Sequence, residues 1–257
     1  RDLLNLSRTE YDVVVVGGGA AGAAAARESA LRGYRTALIE RQDFGGGTSA
    51  LCFKVVHGGI RYIQHLDVPR LRASSRERSI LLRLAPHLVR PLPFVVPTYG
   101  AAANSKWFLG AGMLLYDALT ADRNVQQPDP QRQVRGTRFL SRDDTLNMFP
   151  DVRRDGLTGA AVFEDGQMHN PSRLVLAFVS AAQRLGADVA NYVGAERLLM
   201  RDRRVYGVVA RDKVTGEQFD IRARVVVNAA GPWAEGLLND VSAAATGRRT
   251  AAPSAPT

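Results

Sequence analysis

The sequence predicts an α/β fold: a Rossmann-like nucleotide-binding domain, interrupted by a mixed α+β insertion and incomplete at its C-terminus. Three observations predict it. The stretch Tyr11 to Glu40 reads as strand, glycine turn, helix, strand. A second strand–glycine–helix signature returns late, at Val225 to Ala234. Between the two, helical and β-rich periodicities alternate without an internal repeat.

The first stretch assigns a physical role to each residue type. Val13 to Val16 form a buried-strand run that enters the turn Gly17-Gly18-Gly19-Ala20-Ala21-Gly22. In such a turn Gly17 permits the tight exit from the strand, Gly19 lets backbone approach a pyrophosphate, and Gly22 lets the helix press on the sheet. The N-terminus of the alanine-rich helix that follows the turn offers unpaired N–H groups and a positive dipole end to phosphates. Gly33 ends the helix, and Thr36 to Ile39 deliver Glu40. That carboxylate lies roughly 20 residues past the turn, where it suits ribose hydroxyls and repels a 2′-phosphate.

The totals exclude several classes. A chain of 257 residues, 46% hydrophobic and 23% charged, is an ordinary globular composition. The net charge of +9 rests on arginine, with only Lys54, Lys106 and Lys213 as lysines. Anionic substrates or anionic lipid headgroups are the partners such a charge suggests. Nucleic acid is not expected, because no recognition motif accompanies the charge. Cys52 is the only cysteine, which excludes an intrachain disulfide and a thiolate metal cluster, so no metal site is expected. A reducing, cytoplasmic location follows as the expectation. Residues 1–10 read as a polar leader, and no run of about 18 apolar residues is present to span a bilayer.

Further along, Arg41 to Thr48 form a loop containing Gly45-Gly46-Gly47. A helix is expected from Asp67 to Ala85, with Leu71, Ile80, Leu81 and Leu84 apolar and Arg70, Arg72, Arg76, Arg78 and Arg83 charged. Pro91 to Pro97 suit an edge strand. Lys106 to Leu119 are apolar nearly all round, which fits a buried helix or one dipping into a membrane surface. Gln126 to Arg138 form a loop, and Ser141 caps a short helix. Gly159 to Glu164 form a strand, and Pro171 opens a helix to Leu185. Strands follow at Val189–Val193, Val205–Arg211, Gln218–Ile221 and Val225–Asn228, the middle pair joined at Lys213 to Gly216. The domain reading is residues 10–90 for the first part of the nucleotide domain and 91–185 for the inserted region. Residues 186–240 form a β-rich return, and 241–257 a disordered tail.

The hexapeptide His57-Gly58-Gly59-Ile60-Arg61-Tyr62 carries the most chemistry. A histidine exchanges a proton near neutral pH, and an arginine fork binds phosphate or carboxylate. Two glycines bring backbone close to something flat or bulky. The alternative is a glycine turn bearing a surface arginine and a core tyrosine.

Several segments in order carry a resemblance: VVVVGGGAAGAAAA, IERQDFGGGTS, HGGIRY, SRERSILLRLAPHLVRPLPFVVP, MLLYDAL, PSRLVLAFV and RARVVVNAAGPWA. Together they resemble the FAD-dependent glycerol-3-phosphate dehydrogenases, within the wider group of D-amino-acid-oxidase-like flavoproteins. The resemblance implies FAD as cofactor and oxidation of sn-glycerol 3-phosphate to dihydroxyacetone phosphate, with electrons passed to a quinone or another acceptor. It implies His57, Arg61 and Tyr62 as catalytic residues. It implies cofactor contacts from Gly17, Gly19, Ala21, Gly22, Glu40, Arg41, Thr48, Ser49, Gly58, Gly59, Asn228, Ala230 and Gly231. A homodimer and a peripheral position on the cytoplasmic face of the inner membrane are further expectations. The alternatives are an amine or amino-acid oxidase, with Arg61 holding a carboxylate, and a truncated inactive remnant. One departure stands out: the family's serine-rich run before its lysine is replaced here by Ala50-Leu51-Cys52-Phe53 ahead of Lys54.

Overall fold

The computed structural model describes residues 1–100 and 106–238; the tail expected at 241–257 lies outside them. The described chain forms two compact units, one of residues 1–52 and 170–238, the other of residues 53–169. The units divide at 52/53 and 169/170, whereas the sequence placed the changes near 90 and 185. The reason is local. Strand 55–56 pairs with the strand at Leu157–Met168, and the helix before residue 90 packs on that strand and on the strand at Val89–Tyr99.

In chain order, the first unit opens with α1 (Leu3–Arg8), β1 (Glu10–Val16), α2 (Ala20–Leu31), β2 (Thr36–Ile39) and the short α3 (Gly47–Ala50). The second contains β3 (Val55–Val56), a 3-10 turn (Ile60–His65), α4 (Val68–Leu84), β4 (Val89–Tyr99) and α5 (Lys106–Leu119). It continues with β5 (Arg138–Leu140), α6 (Arg142–Met148) and β6 (Leu157–Met168). The first unit resumes with α7 (Pro171–Arg184), β7 (Asp188–Ala190), β8 (Val193–Arg201), β9 (Arg204–Asp212) and β10 (Gln218–Asn228).

The first unit is built on a six-stranded sheet of order β7-β2-β1-β10-β9-β8. The four strands from β7 to β10 are parallel, and β9 and β8 extend the sheet antiparallel. Burial of both faces explains the unbroken valine run of β1. Val15 and Leu38 face α2 and α7, packed with Ala23, Ala26, Val175 and Val179. Val14, Val16, Ala37 and Ile39 face the opposite cluster, with Tyr11, Val208, Ile221 and Leu6. The alanines of α2 keep that helix close to the sheet. Leu6 is buried, so the segment expected as a polar leader is in part a helix seated on the core. The two late strands expected at Gln218–Ile221 and Val225–Asn228 are one, β10, which pairs with β9 on one side and β1 on the other. The strand reading also missed β8 beyond Val193, whose charged residues Glu196 and Arg197 hide the alternation.

The second unit is a smaller antiparallel sheet centred on β6, with β4 along one edge and β3 and β5 along the other. Pro91, Pro93 and Pro97 share one parity along β4, so each missing N–H is accommodated on an edge strand. Phe94 and Phe163 are register partners whose rings stack at 5.4 Å. Among the described residues of α5, Gly110, Met113 and Tyr116 are buried while Leu114 and Leu115 are exposed. Among the described residues no helix is long and apolar enough to cross a membrane.

Helix α4 corrects one expectation. Arg78, read with the other arginines of the helix as charged, is fully buried on the face shared with Leu71 and Leu82, whereas Leu84 is exposed. The cause is Asp165 of β6, whose Oδ1 accepts from Arg78 Nη1 at 2.6 Å. A buried guanidinium is retained only with a partner of this kind. Arg78→Ala strands the Asp165 carboxylate and is expected to lower unfolding free energy by about 3–5 kcal/mol. Arg76→Ala, exposed on the same helix, should change it by no more than about 0.5 kcal/mol. Urea denaturation of the two variants measures the difference.

Candidate functional site

The glycine turn between β1 and α2 borders a cleft of about 910 Å³ within the first unit. Its lining includes Gly17, Gly19, Ala21, Glu40, Arg41, Thr48, Ser49, Ala230 and Gly231, which the sequence had singled out. Parallel pairing of β1 with β10 places the 229–231 segment beside the turn. Ala229 N–H donates to the Val16 carbonyl at 2.8 Å.

The turn is packed to the limit. Gly17 has φ +107°, and a Cβ there would lie 2.4 Å from the Ala229 carbonyl oxygen. A Cβ on Gly22 would lie 1.8 Å from the Gly17 carbonyl oxygen. Gly22 therefore closes the turn upon itself, rather than simply admitting the helix to the sheet. Gly18, unassigned by the sequence, is held between Phe44 and the Glu40 side chain. Gly19 differs, since a Cβ would meet only the Ser49 hydroxyl, at 3.1 Å. The backbone there is open to the cleft, as approach to a pyrophosphate requires.

Glu40 braces the turn as well as lining the cleft. Its Oε2 accepts from Gly18 N–H at 2.7 Å and its Oε1 from Gln42 N–H at 2.8 Å. A carboxylate accepts about four hydrogen bonds, so each oxygen retains capacity for a ribose hydroxyl. Ser49 Oγ accepts from Ala20 N–H at 2.9 Å, at the first turn of α2, where a phosphate oxygen is the other natural acceptor. Asn228 behaves differently from the expectation. Its amide donates to the Ala234 carbonyl at 2.9 Å and its oxygen accepts from Ala230 N–H at 3.2 Å, so its side chain ties the strand to the following helical turn. Asn228 thus shapes the wall without lining it.

Sequence reasoning missed Trp233 and the start of β8. The Arg41 guanidinium stacks on the Trp233 ring at 4.1 Å, and both line the cleft. Trp233 stood in a quoted segment, but nothing local marks an aromatic as a cleft wall. Val193 to Glu196 form the wall contributed by β8. Hydrogen bonds from Arg211 chiefly hold the Glu196 carboxyl down at about 2. It stays ionised at the cleft rim.

The second unit holds the hexapeptide. Gly59, in the left-handed region, caps the 3-10 turn that presents Arg61 and Tyr62. Tyr62 meets His57 edge to face at 6.0 Å between ring centroids, so these two rings are neighbours. His57 and Arg61 are both exposed. The glycine character of Gly58 and Gly59 has an internal cause. A Cβ on Gly58 would lie 2.2 Å from Arg78 Nη1, and one on Gly59 would lie 3.0 Å from the Tyr62 ring. The flat, bulky neighbour anticipated for Gly58 is thus a guanidinium of this chain. In the departing run, Leu51 and Phe53 are 87% and 84% exposed, so these apolar groups fill no core.

A glycine turn at the head of a central parallel strand, an acid at the tip of the next strand and a returning glycine segment define a dinucleotide-binding α/β domain. The family model described as DAO, FAD dependent oxidoreductase, matches residues 12–253, and the chain belongs to this family. It is 36% identical over 238 residues to a glycerol-3-phosphate dehydrogenase of Synechocystis sp., covering 91% of this chain and 41% of that relative. It is 39% identical over 263 residues to the mitochondrial glycerol-3-phosphate dehydrogenase of Homo sapiens, covering 95% of this chain and 34% of that one. Among solved structures, the glycerol-3-phosphate dehydrogenase from Bacillus halodurans complexed with FAD superposes with a TM-score of 0.68 at 28% identity. That match covers 92% of this chain and 37% of the other. The chain therefore spans well under half the length of these relatives.

The cleft offers a paired test of its packing. Gly22→Ala, with no room for its methyl, should lower the thermal midpoint by several degrees, a loss of about 1–3 kcal/mol. Gly236→Ala, in the helical turn on the opposite wall, meets nothing within 4 Å among the described residues and should be neutral or stabilising by up to about 1 kcal/mol.

Proposed function

We propose that the chain binds FAD in the cleft of its first unit and takes part in oxidising sn-glycerol 3-phosphate to dihydroxyacetone phosphate, with electrons leaving to a quinone. The cleft fits the cofactor on its own features. Gly19 leaves room for a pyrophosphate, the first turn of α2 offers N–H donors, and Glu40 keeps acceptor capacity for ribose. Arg41, Thr48 and Ala230 complete the walls. A bound flavin supplies the two-electron acceptor for an alcohol carbon.

The observation that carries the substrate reading is Arg61. Its guanidinium is exposed at the start of the 3-10 turn and, among the described residues, has no hydrogen-bond or ion-pair partner. A permanent cation with a bidentate fork left free in this way suits a phosphate monoester. Tyr62 orients the ester beside it through its hydroxyl. A ring nitrogen of His57 takes the proton from the C2 hydroxyl as the carbinol is oxidised.

The absorbance spectrum of the purified chain with FAD should show a flavin band that bleaches on adding glycerol 3-phosphate. Arg61→Ala should weaken glycerol 3-phosphate about 10–100-fold, as loss of charge-assisted hydrogen bonds predicts, while leaving FAD affinity unchanged. Bleaching by sarcosine or a D-amino acid instead would assign Arg61 to a carboxylate. Absence of any flavin band would end the cofactor reading.

The same proposal includes peripheral contact with an anionic membrane surface. Arg72, Arg76 and Arg83 are exposed on α4, and Leu114 and Leu115 on α5. Basic and apolar exposed residues are the pair of features such contact uses. Flotation with anionic liposomes should carry the chain upward, and less so with neutral ones; no flotation with either removes this part of the proposal.

A further inference from the structure

Gly58 has both of its backbone polar groups held by buried side chains. Its N–H donates to Asp165 Oδ1 at 2.6 Å, and its carbonyl accepts from the Tyr116 hydroxyl at 3.2 Å. Arg78 Nη1 joins the two side chains, reaching Asp165 Oδ1 at 2.6 Å, Tyr116 Oη at 3.1 Å and the Glu164 carbonyl at 3.2 Å. Arg78 comes from α4, Tyr116 from α5 and Asp165 from β6, so three elements distant in sequence converge on one peptide. Their exposures are 0%, 3% and 4%. Burial also pushes the Tyr116 hydroxyl above the ordinary tyrosine range.

A buried ion pair is a poor way to gain stability, since apolar replacements of similar volume often do as well. It is a good way to fix the direction of a hydrogen bond, because a carboxylate locked by a guanidinium cannot turn away. What it fixes here is the base of the loop carrying the exposed His57 and Arg61. His57 directly precedes Gly58. After it, Gly59 is left-handed, and Tyr62 N–H returns to the Gly59 carbonyl at 2.9 Å. There is little freedom between the clamped peptide and the two functional side chains.

We infer that Arg78, Asp165 and Tyr116 are positioning residues that hold the His57–Arg61 loop in its substrate-binding conformation by clamping the Gly58 peptide. This rests on the reading of Arg61 and His57 as substrate-binding groups. None of the three touches substrate. Their effect is to pre-order a loop whose ordering would otherwise be charged against binding.

Two variants test it in the full chain. Tyr116→Phe removes one hydroxyl and keeps the ring; Asp165→Asn keeps shape and an acceptor oxygen but loses the charge that locks Arg78. Amide hydrogen exchange of the 57–62 segment should accelerate about tenfold or more in both, while FAD affinity is unchanged. This arm requires no bound substrate. Glycerol 3-phosphate affinity, titrated directly, should fall about tenfold in Tyr116→Phe. Unchanged exchange in both variants overturns the inference. So does faster exchange with unchanged glycerol 3-phosphate affinity, provided Arg61→Ala does weaken it. If Arg61→Ala has no effect but Tyr116→Phe weakens the ligand, the phosphate role of Arg61 fails and the clamp stands, acting through His57.

Discussion

The first unit depends on one steric constraint, the contact between the Gly17 turn and the Ala229 backbone. Parallel pairing carries β1 and β10 to a common end, where the Gly17 α-carbon approaches a carbonyl too closely for any side chain. Gly22 then closes on Gly17 from the helix side. Everything that makes the cleft follows from these two approaches: where α2 begins, where its N–H groups point, and which segment forms the facing wall. The chain must complete its long insertion and return before this contact exists, so the cradle is local in sequence but not in cause.

Polar groups in the two units divide two kinds of work. In the first, Glu40, Ser49 and Asn228 spend hydrogen bonds on the protein's own backbone around the cleft, which pre-orders it. In the second, the Arg78–Asp165 pair is buried beneath the loop. The Arg78–Asp165 pair is costly to desolvate and is kept where it touches a backbone that must not move. Glu40, half-buried at the cleft, and Arg61, exposed on the 3-10 turn, both keep hydrogen-bonding capacity.

Legibility in the sequence tracked the range of the forces involved. β1, α2, β2, the Ser141 cap and the Pro171 helix start were readable because each is set by neighbours a few residues away, and α6 and α7 begin where those signals place them. Arg78 was not: it shares a helical face with Leu71 and Leu82, but the carboxylate that makes its burial tolerable comes from β6, far along the chain. Gly58 and Gly59 were recognised as close-approach positions, but the groups approaching them come from α4, α5 and the 3-10 turn. Trp233 and the β8 wall carried no local signal at all.

By itself, then, the sequence determined the βαβ nucleotide-type unit, the acid at its second strand and the presence of an arginine in a glycine-flanked loop, since these depend on backbone sterics and on residue type. The tertiary structure alone decided that Gly22 closes the turn on itself, that Asn228 ties the wall rather than lining it, and that a buried guanidinium fixes the loop's base. Those outcomes depend on which distant atoms fill a given space, and packing of that kind leaves no periodic trace in the chain.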